Sequence, residues 1–212
     1  MAAKHAGYGI AVWLVPGGAA GERLSSVIQR LTPGLPAYHT PHTTLRCHLD
    51  SVQSARAVAR AVAEAIAPFT LRVSGAVEVC NVVYAPGEAE DCCQAVHAAV
   101  AAAPEFHRAL RLASAALREA TFEPHVPHVS LAYRYGSPFN AEEVAELNAL
   151  ARGQSACSFN VDRLCIATCR GMWPDWRVLE EVPLQGEHGG GIGCFAKLTL
   201  CAGLTAAPVE EP

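Results

Sequence analysis

One short phrase occurs twice in the chain. Residues 41–45 read Pro-His-Thr-Thr-Leu and residues 127–131 read Pro-His-Val-Ser-Leu, the second 86 residues after the first. Each copy follows a proline-containing loop, TPGLPAYHTP over 32–41 and FEPHVP over 122–127, and each opens a run expected to be a strand. Alternation of polar and apolar residues is the mark of a strand with two unlike faces. A duplicated strand with a duplicated entry loop implies two similar halves, about 8–84 and 85–184. The 212-residue length suits one domain over 1–184 better than two independent cores. The tail, 185–212, is rich in glycine and is expected to be partly disordered.

Around these anchors, Tyr8–Val15 reads as a buried strand closed at Pro16-Gly17-Gly18 and followed by a helix over Ala20–Leu31. The first motif strand runs His42–Leu49. Residues 52–66 carry an amphipathic helix, stopped by Pro68. Strands are expected at Phe69–Val79 and Val82–Tyr84, with a turn at Cys80-Asn81. Alanine-rich stretches at Ala89–Ala103 and Glu105–Ala120 are expected to be helices broken at Pro104. The second motif strand runs His128–Tyr135, then a helix over Ala141–Ala151 and strands at Phe159–Thr168 and Trp176–Val182. The patch CFAKLTLC, 194–201, could add a short strand.

Hydrophobic residues make up 51% of the chain and charged ones 17%, so the body can bury a core and is not disordered. A net charge of -4 provides no global field to hold long nucleic acid or an anionic membrane, and a small ligand fits better. The longest early apolar run, Ile10–Val15, is too short for a membrane span or signal peptide, so a soluble, cytoplasmic protein is expected. Nine cysteines lack the paired short spacings of a zinc site and are expected to be mostly free. Cys92-Cys93 and the Cys165/Cys169 spacing leave a disulfide or redox switch open.

In a strand, His42 shares a face with Thr44, and His128 with Ser130. If the halves pack about a pseudo-two-fold axis, one cleft receives two imidazoles and two hydroxyls. Such a set suits hydrolysis of a cyclic phosphodiester: one neutral histidine takes a proton from attacking water and one protonated histidine supplies the departing oxygen. Thr44 and Ser130 would donate to the non-bridging oxygens as charge builds there, and no metal or other cofactor is called for.

The paired motifs, with AVWLVP, PHVSLAY and FNVDRLCIATC, resemble the two-histidine (2H) phosphoesterases over roughly residues 8–183, and within them the cyclic phosphodiesterases of plants and yeast. The resemblance implies a bilobal α+β fold with antiparallel sheets lining a central cleft and helices outside. It implies hydrolysis of ADP-ribose 1″,2″-cyclic phosphate to ADP-ribose 1″-phosphate and of nucleoside 2′,3′-cyclic phosphates to 2′-phosphates. It assigns His42 and His128 as the acid/base pair and Thr44 and Ser130 as phosphate binders. Trp13 and Tyr133 resemble residues that contact the nucleobase or hold the ligand, although strand parity puts Tyr133 opposite His128 unless a bulge intervenes.

His39, His48 and His125 flank the motifs, but His48 lies far along the strand from His42, and no metal is expected. Arg46, on the face of His42 and Thr44, and Arg134, on that of Ser130, are potential phosphate contacts whose commoner fate is an ion pair. His97, His107 and His188 read as surface or packed residues in helical or tail settings. A monomer acting on a small cyclic nucleotide is the expected arrangement. The alternatives are a member acting on RNA ends or 2′-5′ linkages, and a catalytically idle nucleotide-binding module.

Overall fold

The computed structural model describes residues 9–32, 40–82, 93–101, 103–119, 126–135, 138–169 and 176–186. The tail beyond 186, with its potential short strand, lies outside them, as do His39, His125, His188 and Cys92. The elements run β1 (Gly9–Leu14), α1 (Gly18–Leu31), β2 (Thr43–Leu49), α2 (Val52–Ala65), β3 (Phe69–Val82) and β4 (Cys93–Ala101). They continue with α3 (Pro104–Ala116), β5 (His128–Tyr135), α4 (Ala141–Ala151), β6 (Cys157–Val161), β7 (Arg163–Cys169) and β8 (Arg177–Pro183).

The strands form one antiparallel, curled sheet in the order β6-β3-β4-β5-β2-β1-β7-β8. The chain thus has the α+β fold expected of it, with the two antiparallel sheets continuous as halves of one. They meet at the centre, where β2 and β5 pair through Thr43 and Val129. Each half borrows from the other. After β2 the chain crosses to place β3 beside β4, and after β5 it crosses back to place β7 beside β1. The helices cross too: α1 packs with α4 over β3, β5 and β6, whereas α2 and α3 cover β1, β2, β7 and β8.

Local chemistry explains most of the element ends. Pro16-Gly17-Gly18 turns β1 into α1: Gly18 has φ +54, and a Cβ on Gly21 would lie 2.5 Å from the Pro16 carbonyl oxygen. The Ser51 side chain caps α2 by accepting from the Ser54 amide. Asn140 and Glu143 form a reciprocal capping box on α4.

Three expectations are corrected. The stretch expected to be a helix over Ala89–Ala103 contains strand β4 instead, in which Val96, Ala98 and Val100 are buried while His97 and Ala99 are only half-buried. Alanine favours helix, but β3 and β5 offer this segment hydrogen-bond partners on both edges, and that tertiary context outweighs propensity. The turn expected at Cys80-Asn81 is absent because β3 continues through both residues, paired to Ala95 and Gln94. The single strand expected over Phe159–Thr168 is two, β6 and β7, parted at Asp162 and lying at opposite regions of the sheet.

The core lies between the sheet and its helices. The motif leucines, Leu45 and Leu131, are both fully buried in it, as are Thr43 and Val129. Leu45→Ala and Leu131→Ala should each destabilise the fold by about 2–5 kcal/mol through lost transfer energy and the cavity left behind, measured by urea denaturation; a loss near zero for either would show that the motif strand is not anchored there.

Candidate active site

Pairing of Thr43 with Val129 in antiparallel register sets His42 opposite Ser130 and Thr44 opposite His128. Because Thr43 and Val129 point into the core, the two imidazoles and two hydroxyls share the other face. There they line a cleft of about 600 Å³ with Trp13, Tyr133 and Trp176. The cleft brings all four motif side chains together, a placement that the spacing of the motifs anticipates.

The two histidines are held alike. His42 Nδ1 lies 2.7 Å from the Thr40 carbonyl oxygen and His128 Nδ1 3.2 Å from that of Val126, in each case two residues upstream across the motif proline. A carbonyl only accepts, so Nδ1 carries hydrogen in both rings and Nε2 is the nitrogen suited to proton exchange. Each ring also has a flat wall. Trp13 stacks on His42 with centroids 3.7 Å apart and 12° between planes; His97 stacks on His128 at 3.7 Å and 11°. Trp13 pairs with Thr44 across β1–β2, and His97 with Ser130 across β4–β5, so the walls are pseudo-symmetric equivalents.

A sequence model of the 2′-5′ RNA ligase superfamily matches residues 16–171, which include both motifs. The chain belongs to this superfamily, the two-histidine phosphoesterases. Its members are phosphoesterases and ligases, and an enzyme activity of that general kind follows. No curated protein matches the chain at the sequence level. Among solved structures, TT0787 of Thermus thermophilus is 18% identical with a TM-score of 0.57, over 85% of this chain and 100% of that one. Apo LigT of E. coli is 13% identical with a TM-score of 0.51, over 84% of this chain and 97% of that one. Both share the fold.

A bulge reshapes the second motif strand of this superfamily member. Between Val96 and His97 the register on β5 jumps from Ala132 to Ser130, so β5 holds one extra residue at Leu131. Leu131 and Ala132 both enter the core, alternation shifts by one, and Tyr133 arrives on the cleft face beside Ser130. The same shift turns Arg134 away from the face of Ser130 expected for it. Arg134 instead binds Glu143 at 2.6 Å and lies over the Phe139 ring at 4.8 Å. The motif leucine of β2 sits at a matching irregularity, where Val12 pairs with Arg46 but Trp13 with Thr44. Arg46 does line the cleft, paired with Glu119 from beyond α3.

His97 is the main residue that sequence reasoning misplaces, because the helical reading of its segment hid its face. A signal exists: Ala11-Val12-Trp13 before the first motif corresponds to Ala95-Val96-His97 before the second. Trp176 and Glu119 also line the cleft without a distinguishing pattern. Trp176 packs tilted against Trp13 at 6.3 Å and edge-on to Tyr133 at 5.8 Å, joining the aromatic wall. His48, with φ +57, lines the same cleft as His42. His107 lies on α3, edge-on to Phe106, outside the cleft.

Among the described residues, no group of three or more His, Cys, Asp and Glu side chains is arranged to hold a metal ion. Cys47, Cys80, Cys157, Cys165 and Cys169 are free, and burial pushes each thiol up, so they are protonated near neutrality. No helix among the described residues is long and apolar enough to cross a membrane.

Burial, with the adjacent His128 second, lowers His97 from 6.5 to about 3. The unfolded chain therefore binds a proton at His97 between these values that the folded protein does not, and stability falls as pH drops from about 6.5 toward 3. Replacing His97 with Phe removes this titration, so the urea midpoint of the variant should fall less than the parent's between pH 7 and pH 4.5. Equal falls would show that His97 is not held neutral.

Proposed function

We propose that this superfamily member is a metal-independent cyclic phosphodiesterase of small nucleotides. Its substrates are ADP-ribose 1″,2″-cyclic phosphate, opened to ADP-ribose 1″-phosphate, and nucleoside 2′,3′-cyclic phosphates, opened to 2′-phosphates. The observation that carries the reading is the diagonal placement of His42 and His128, each facing the other motif's hydroxyl on one cleft wall. One histidine, neutral at Nε2, takes a proton as water attacks phosphorus. The other, as imidazolium, protonates the ribose oxygen as its bond to phosphorus breaks: O2″ in the first substrate, O3′ in the second. One water is consumed, and the two histidines end in exchanged protonation states, which solvent resets. Thr44 and Ser130 donate to the non-bridging oxygens, where negative charge grows.

The volume of the cleft suits a mononucleotide or dinucleotide, since ligand pockets run to roughly 300–1,000 Å³. Trp13, Tyr133 and Trp176 offer the aromatic surface against which a base or ribose packs. We take the protein to work as a soluble, cytoplasmic monomer. The second reading is an RNA-directed enzyme acting on 2′,3′-cyclic ends or 2′-5′ linkages, favoured by the name of the matching superfamily. The net charge of -4 argues for the small substrate, because gripping a polymer ordinarily calls for a basic stripe.

Turnover of both substrate classes in EDTA, with product position read by phosphorus NMR, tests the proposal. His42→Ala and His128→Ala should each lower kcat by about 10²–10⁴ while the circular dichroism spectrum is unchanged. A folded parent that is inert on every small cyclic phosphate but active on RNA ends would replace the first reading with the second.

A further inference from the structure

The pseudo-symmetry of the site is broken at one point. The wall behind His42 is an indole, buried with 1% of its surface exposed; the wall behind His128 is a third imidazole, with a partner of its own. Cys80 Sγ on β3 lies 2.9 Å from His97 Nδ1, diagonally across the β3–β4 ladder, where Cys80 pairs with Ala95 and Glu78 with His97. The thiol is protonated, burial being the first cause and the charge of Glu78 the second. Its one hydrogen either goes to Nδ1, or turns to the Ala95 carbonyl oxygen at 3.7 Å while the Nδ1–H of His97 donates to the sulfur; in both arrangements the contact holds one tautomer of a neutral His97.

We propose that His97 is a positioning residue for His128, kept neutral and in one tautomer by the Cys80 thiol, so that its ring fixes the plane of the His128 ring without adding a second charge. The inference rests on the two-histidine reading above for its kinetic part and on the ring stacking and the Cys80 contact for its structural part. A carboxylate is the common partner of a histidine that must carry charge, and one here would turn His97 into an imidazolium stacked on His128. That cation would oppose protonation of His128 and impair its turn as acid or base. A half-buried neutral thiol avoids the conflict. Among the described residues, the titratable groups facing His97 are Glu78 and Cys80 from β3 and His128 from β5, with Ser130 as its cross-strand partner; Glu78 is exposed. The Arg46–Glu119 pair lines the same cleft.

The test combines kinetics with proton NMR titration of the His128 C2 proton, assigned by its loss in His128→Ala. His97→Ala should lower kcat by about 10–100-fold with KM changed less than about threefold, the scale of a misaligned group, and His97→Phe should recover most of the loss by restoring the wall. Cys80→Asp should move the His128 titration to lower pH by about one unit or more, whereas Cys80→Ser should leave it within about 0.3 units of the parent. If His97→Phe is as impaired as His97→Ala, the imidazole itself acts on substrate and the positioning role is wrong. If Cys80→Asp leaves the His128 titration in place, the thiol does not govern the charge beside it. The titrations read the ring pair even in a protein inert on every cyclic phosphate, so failure of the activity and failure of this inference are separable.

Discussion

Two four-stranded ladders become one sheet through the pairing of Thr43 with Val129, and the site depends on that contact. Both residues are fully buried against the helix layer, so their neighbours along each strand must face the other way. Antiparallel register then does the rest: each imidazole is set against the hydroxyl of the opposite strand. A slip of one residue would turn one motif into the core and destroy the constellation, and the burial of Leu45 and Leu131 opposes such a slip.

The exchange of strands and helices between halves keeps this central pair in place. Helices α1 and α3 each pack on the ladder opposite to that of the strand they follow, and β3 and β7 each pair in the ladder to which the preceding motif strand does not belong. Neither half has a complete core alone, so separating them would expose apolar surface on both. The consequence is a cleft built mostly on strand backbones, with each motif histidine held by one carbonyl bond and one stacked ring. The stacking partners differ, an indole on one side and a neutral imidazole on the other, and this difference gives two similar histidines unlike surroundings. Low exposure of His42 and Ser130, 5% each, places these two side chains where hydrogen bonds act in reduced dielectric.

Much of the fold was legible from patterns with a local cause. Pro16-Gly17-Gly18, Pro68 and Pro104 mark element ends because turn and helix-breaking chemistry acts within a few residues. The reading of β4 failed for a physical reason: in an alanine-rich stretch the side chains say little about period, and edge-to-edge hydrogen bonding with distant strands decides the structure. That error concealed His97. Tyr133 shows the complementary limit, since parity argued against its facing the cleft and only the bulge at Leu131 reverses that, sending Arg134 outward by the same step.

The amino-acid sequence by itself determined the two histidine-hydroxyl strands, the apolar faces that bury their leucines and the turns that deliver the chain to them. These follow from side-chain alternation and backbone stereochemistry, which are properties of adjacent residues. Tertiary structure alone decided that β2 and β5 are neighbours, that β3 and β7 cross over, and that His97 and Cys80 stand behind His128. Those relations depend on which strand edges meet, and hydrogen bonds between edges are made by backbone groups that every residue type shares.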